Sequence, residues 1–413
     1  MTKKSLGETS QQVEFRQHCR DWLSENNPPL PAFPMPATSG GIMTSEQLEY
    51  ARAWQKSAYE AGLIGCDYPE EFGGGGKTDC QAIANQEMRR AKTPVLACMA
   101  GLQIVAGAMC IHASDEIKRR FLSKIFSAEE MWCAGFSEPG AGSDLASLQT
   151  YAERRGDKWV INGHKVWTSM GQFADWMVLP ARTDKSEKHK GITFFVAPVK
   201  SELGKSVTVR PLVKITGDAE FNEVLVDDLE VDDRYRVDEI GKGWDVMSTA
   251  LAHERGAGFY VEPKSGGQGN VPKKKPVNRV HPLVALAKSS VRNGKPVSED
   301  PVLTDKIMKM LTRSQGIRDF RRMRGVRDLV GNPARFALQD KVVGADYLQQ
   351  MNALAMELEG CQSTLSPNDK NALSNGRWSR GYLDSFGATI AGGTNEIQRN
   401  ILGEKILGLA KTK

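Results

Sequence analysis

Phe136-Ser137-Glu138-Pro139-Gly140-Ala141-Gly142-Ser143-Asp144 is followed about twenty residues later by Asn162-Gly163-His164-Lys165-Val166-Trp167-Thr168-Ser169. The first stretch has the proline and glycines of a turn, with the hydroxyls of Ser137 and Ser143 and free backbone N–H groups at its rim. The second has the composition of a short strand and carries a large flat ring beside two more hydroxyls. Together they suit a planar ligand rich in hydrogen-bonding edges.

The strand pattern extends on both sides of this pair, from Glu129 to about Val237. Lys158–Ser169, Asp175–Arg182, Gly191–Pro198, Val207–Leu212 and Asn222–Val231 alternate or form short β-branched runs between Gly, Asp and Lys turns. Before it, from Gln11 to about Phe126, the period is helical. Phe15, Cys19, Trp22 and Leu23 mark one apolar face, and Leu48, Ala51, Trp54 and Ala58 another, with Pro28–Pro36 as a loop between them. Helices return from Gly241. The pattern predicts an α+β chain: a helical domain over 1–128, a β domain over 129–238 and a helical domain over 239–413. A Gly-, Pro- and Lys-rich insert near 262–278 interrupts the last. Lys273, Lys274, Lys275 and Arg279 make this insert either a solvated loop or a contact for an anionic group. There is no internal repeat.

The 413 residues suffice for large cores, and 40% apolar with 25% charged residues is ordinary for a soluble protein. A formal charge of +5 gives no support for nucleic-acid binding. Seven scattered cysteines and six histidines lack metal-ligand spacing and suggest a reducing cytoplasm. The N-terminus shows no apolar stretch of a signal peptide. Pro94–Ala113 is uncharged, but Gln103, small-residue breaks and a histidine favour a buried helix over a membrane span. Gly73–Thr78 imitates the end of a phosphate loop, yet Glu71 stands where that motif needs glycine, so a tight turn is expected.

A third segment, Gly392-Gly393-Thr394-Asn395-Glu396-Ile397-Gln398-Arg399-Asn400, completes an ordered set with Phe136–Asp144 and Asn162–Ser169, the latter followed by Ala174-Asp175. From about residue 10 to Leu409 the chain resembles the acyl-CoA dehydrogenases, flavoproteins that oxidise acyl-CoA thioesters to 2-enoyl-CoA. It is most similar to a bacterial branch with a Trp-Thr-Ser strand and a His-Glu-Arg helix start. The resemblance implies an N-terminal helical domain, a middle β-barrel-like domain and a C-terminal four-helix bundle, with FAD between the last two. It assigns Phe136, Ser137, Gly142, Ser143, Trp167, Thr168, Ser169, Thr394 and Glu396 to FAD, and Ser143, Arg255 and Gly392 to the acyl-CoA. Trp167 would cover a ring face and Ser169 would bond the N5 side. Implied partners are an electron-transfer flavoprotein and other subunits, in a homo-oligomer or an α2β2 hetero-oligomer. A cytoplasmic tetramer is the expectation.

The reaction needs a carboxylate to take a weakly acidic α-proton. Most of the family carries a glutamate just before the Gly-Thr of the C-terminal motif, where this sequence has Gly392, preceded by Ala391. A second group carries its base at the start of the bundle's first helix, a place that Leu251-Ala252-His253-Glu254-Arg255-Gly256 matches. Glu254 is therefore the expected base. The glycine at 392 would leave its N–H for the thioester oxygen and clear space for a branched or bulky acyl group. Two family segments are missing: the Arg-x-x-Phe-Gly arginine that reaches FAD pyrophosphate, and a Gly-Gly-x-Gly-Tyr run. Arg321–Phe336 is arginine rich without that spacing, and Ser379-Arg380-Gly381-Tyr382 is a partial echo. A partner subunit completing the site would account for both. An acyl-CoA oxidase and an FAD-supporting subunit of a heteromer are the competing readings.

Overall fold

The computed structural model describes residues 8–254, 281–323, 334–367 and 369–411. Arg255, Lys264–Lys275, Arg279 and residues 324–333 of the arginine-rich run lie outside the described residues. Two compact units emerge, Met1–Lys214 with Asp218–Gly269, and Ile215–Gly217 with Asn270–Lys413.

The first unit opens with α1 (Ser10–Asn26), α2 (Ser45–Glu60), α3 (Gln81–Ala91), α4 (Ala106–His112) and α5 (Asp115–Phe126). Capping boxes start α1 and α2: Thr9 pairs with Gln12, and Thr44 with Gln47. The apolar faces read from periodicity are buried, except that Trp22 is only partly so and lies against Trp54. The uncharged stretch forms a π turn, Gly101–Val105, leading into α4, and no described helix is long and apolar enough to cross a membrane. Gly75 and Gly76 donate back to Gly65 and Tyr68 carbonyls at 3.0 and 2.8 Å, closing the expected tight turn.

Eight strands follow: β1 (Trp132–Ala134), β2 (Tyr151–Arg155), β3 (Lys158–Ser169), β4 (Trp176–Arg182), β5 (Ile192–Pro198), β6 (Val207–Leu212), β7 (Phe221–Asp232) and β8 (Arg236–Val237). Their order is β6-β7-β3-β2-β4-β5-β8, with β1 parallel to β4. Alternation assigns each side chain to one of two cores. Val178, Phe194 and Val196 face the helices, while Met177, Leu179, Phe195 and Ala197 join Ile161, Val224 and Val231 inside the curled sheet. The sheet is barrel-like in this curl, but no ladder joins β6 to β8 among the described residues. Helix α6 (Gly243–Ala252) buries Val246, Met247 and Ala250 in the helix-facing core, so it packs with the first unit.

The second unit holds α7 (Pro282–Ser289), α8 (Pro301–Met323), α9 (Ala334–Glu359), α10 (Arg377–Ile390) and α11 (Asn395–Ile401). All of them pack on α9. Leu286, Leu303, Ile307, Leu354, Leu358 and Trp378 form its core. The partial echo at Gly381 marks a close helix crossing, where a Cβ would come 2.5 Å from Asn352 Oδ1.

Candidate active site

The opening turn is fastened to β3. Val166 N donates to Ser137 O at 2.8 Å, and Glu138 and Ala141 exchange backbone hydrogen bonds of 3.0 Å, leaving Gly140, Gly142 and Ser143 exposed at the tip. Beneath the turn lies a buried ion pair that the sequence reading missed. Lys165 Nζ is 2.8 Å from Glu138 Oε1 and also donates to the carbonyls of Phe136 and Pro180, at 3.3 and 3.2 Å. Glu138 further accepts from the N–H groups of Gln149 and Thr150, at 2.6 and 2.9 Å. Burial alone would push the Glu138 carboxyl up, but Lys165 and these donors outweigh it and hold it below the usual carboxylate range. A glutamate in a turn and a lysine in a strand usually mean solvated charge, so only the fold reveals the pair.

Phe136 turns its ring inward. Its ring is buried against Phe194, centroids 6.2 Å apart, so its side chain belongs to the core and not to the rim. Ser137 is half-buried and Ser143 exposed.

Trp167 sits where the β3–β7 register shifts between Lys165 and Thr168. Its φ is +61°, an outlier for a bulky residue, and its side chain is 58% exposed, edge-on to Phe221. A tryptophan that merely filled a core would have neither property. Thr168 is fully buried, and its Oγ1 has no partner among the described residues. Ser169 is half-buried beside it. Turn and strand therefore bring Ser137, Trp167, Thr168 and Ser169 to one region, while the tip carries Gly142 and Ser143.

Glu254 lies elsewhere in this unit, just after α6, and is exposed. His253 and Glu254 thus continue from the end of α6 in a π turn, where a helix start was expected. The helix begins at Gly243, whose Cβ position is 2.7 Å from Ile192 O of β5. His253 is buried, and burial lowers its pKa.

Gly392, Thr394 and Glu396 belong to the second unit. Gly392 has φ +65°, and a Cβ there would meet no atom within 4 Å, so its backbone conformation favours glycine and the space beside it is open. Its carbonyl accepts from Gln398 Nε2 at 2.6 Å. Thr394 Oγ1 caps α11 by accepting from Ile397 N at 3.2 Å. Glu396 is exposed and paired with Arg399 at 3.3 Å. These contacts account structurally for Thr394 and Glu396.

Acyl-CoA dehydrogenase family models match the chain in order: the N-terminal domain over residues 9–129, the middle domain over 133–229 and the C-terminal domain over 278–407. Acyl-CoA dehydrogenase IpdE1 of Mycobacterium tuberculosis is 34% identical over 400 residues, spanning 96% of this chain and 98% of that protein. Acyl-CoA dehydrogenase FadE26 of the same organism is 31% identical over 415 residues, spanning 98% of each. Among solved structures, the ChsE4–ChsE5 complex from Mycobacterium tuberculosis includes a chain 26% identical, with a TM-score of 0.69, covering 98% of this chain and all of that one. With three consecutive domain matches and relatives of this identity along nearly its whole length, the chain belongs to the acyl-CoA dehydrogenase family of oxidoreductases.

Proposed function

We propose that this chain binds FAD and introduces an α,β double bond into a branched or bulky acyl-CoA thioester, passing the electrons to an electron-transfer flavoprotein. Trp167 is the observation that carries the proposal. Its ring is held outward on a strained backbone, next in the strand to Val166, which is bonded to Ser137 of the turn. An exposed flat face near the Ser137 and Ser169 hydroxyls fits an isoalloxazine ring. Ser137, Ser143 and Ser169 would hold its polar edges, with Thr168, Thr394 and Glu396 assigned to FAD by family position.

Bound FAD would supply the two-electron acceptor for the β-hydrogen. The α-proton falls to Glu254. As its carboxylate takes that proton, the C–H electron pair becomes the new C=C bond. The β-hydrogen leaves with its own pair, so the thioester is oxidised by two electrons. The Gly392 N–H would polarise the thioester oxygen, and Ser143 and Arg255 would contact the acyl-CoA. The open space beside Gly392 supports a bulky acyl group. The working form is a cytoplasmic tetramer, homomeric or α2β2. The absent Arg-x-x-Phe-Gly arginine favours the heteromer, and the ChsE4–ChsE5 relative was solved as a complex of two chains.

Anaerobic flavin bleaching with octanoyl-, isobutyryl- and cyclohexanecarboxyl-CoA tests the proposal. Glu254→Gln should slow it by a factor of about 100 to 10,000. Bleaching by this variant at the wild-type rate would remove Glu254 from the mechanism. Oxidation of octanoyl-CoA alone would overturn the bulky substrate, and stoichiometric peroxide in air would replace the flavoprotein acceptor with oxygen.

A further inference from the structure

Helices α4 and α6 lie side by side and antiparallel, and two contacts lock them together. At one end His112 closes α4. Its Nδ1 is 2.9 Å from Asp238 Oδ2, just past β8, and its Nε2 is 2.8 Å from Thr249 Oγ1 on α6. A carboxylate only accepts, so Nδ1 is the donor to Asp238. Asp238 is itself fixed: its Oδ1 accepts from Glu239 N at 2.8 Å, and its carbonyl accepts from Arg236 Nη1. One imidazole thus ties the end of α4, the end of the sheet and the middle of α6.

The second contact lies further along the same face. The His253 ring rests on Gly107, where a Cβ would fall 1.7 Å from Nδ1. A ring seated at that depth stops α6 from rotating. A directional hydrogen bond to the Thr249 hydroxyl stops it from sliding, which apolar packing alone does weakly. The residue after His253 is Glu254.

We propose that His112, oriented by Asp238, is a positioning residue: through Thr249 it sets the register of α6 against α4 and so the aim of the Glu254 carboxylate. The proposal rests on Glu254 being the base. A displacement of about 1 Å at a reacting group can cost a hundredfold in rate. Register is therefore enough to matter without any contact between His112 and substrate.

The test uses Thr249→Val, which removes one hydroxyl at nearly constant shape, with His112→Gln and His112→Asn. Gln places its amide where Nε2 reaches Thr249, and Asn places its amide where Nδ1 reaches Asp238. The acyl-CoA of the three above that bleaches wild type fastest is used with and without deuterium at Cα. Thr249→Val and His112→Asn should slow flavin reduction by about tenfold to a hundredfold. They should also raise the Cα isotope effect, leave KM and FAD content unchanged, and speed amide exchange in residues 243–252. His112→Gln should recover most of the rate. Wild-type rates and isotope effects in Thr249→Val would overturn the clamp, as would equal rates for His112→Gln and His112→Asn. Glu254→Gln separates the two ideas. If it is slow while Thr249→Val is normal, only the clamp fails; if it bleaches normally, the base assignment fails.

Discussion

Lys165 Nζ lies 2.8 Å from Glu138 Oε1, and the two side chains retain 0% and 6% of their exposure. Glu138 belongs to the turn and Lys165 to the strand that carries Trp167. The pair therefore joins the two stretches proposed to face the flavin. Its five hydrogen bonds leave little of either charge unsatisfied.

Breaking the pair from one side leaves a buried charge alone. Glu138→Gln should destabilise the first unit by about 3 kcal/mol or more, and the double variant with Lys165→Met should recover part of that loss. Urea melts of the three proteins check this. No recovery in the double variant would mean that the lone Lys165 charge is not what destabilises Glu138→Gln.

The same pair sets a pH dependence. Glu138 titrates below its ordinary value of 4.5 in the folded protein, so the unfolded chain binds that proton more readily. Its contribution is whole above about pH 4.5 and is lost as pH falls through the folded value. The part of the stability gap between wild type and Glu138→Gln that Glu138 supplies should accordingly shrink as pH falls below about 4.5. A gap that widened in acid would contradict the assignment.

Trp167 separates binding from folding. Its exposed ring contributes little burial, and its φ of +61° suits glycine better than tryptophan. Trp167→Gly should change the melting free energy by less than about 1 kcal/mol, in either direction, while weakening FAD retention. Gel filtration with flavin absorbance, beside a thermal melt, reads both. A large loss of stability with flavin fully retained would make Trp167 a structural residue.

Much of this was legible in the chain itself. Lys158–Ser169 and Val207–Leu212 are strands with the bounds that alternation predicts, and the other three predicted strands differ by one residue at most at either end. The short strands β1, β2 and β8 were not legible: Tyr151–Arg155 is mostly exposed and charged, so only its pairing with β3 makes it a strand. The exposed Trp167 and the turn were readable because their residue types are unusual together. The buried partners Glu138 and Lys165, 27 positions apart, were not, because sequence shows charge and not desolvation. The His253–Glu254 stretch was expected to open a helix, and only the β5 backbone beside Gly243 shows where that helix begins.

Gly392 tests whether conformation or space keeps a glycine there. At φ +65°, alanine should be strained by about 1–2 kcal/mol although nothing crowds its Cβ. Gly392→Asn should be milder, since asparagine tolerates the left-handed region. If both variants melt like wild type, backbone strain is not the reason. A change confined to turnover of cyclohexanecarboxyl-CoA against octanoyl-CoA would then favour the role in substrate shape.

Gly107 and His253 give the sharpest packing test. A Cβ 1.7 Å from His253 Nδ1 cannot be accommodated without moving the ring or the helix. Gly107→Ala should cost about 1–3 kcal/mol by overpacking. His253→Ala removes the obstacle, so the double variant should be more stable than the two single losses would sum to, with a coupling of about 1 kcal/mol or more. Because α6 ends beside Glu254, Gly107→Ala should also lower the rate of flavin reduction at unchanged FAD content, and adding His253→Ala should not restore it fully, since the helix then lacks its stop against rotation. Additive stabilities would show that the two residues are not in contact. Full recovery of rate in the double variant would leave the clamp at Thr249 as the sole device holding α6 in register.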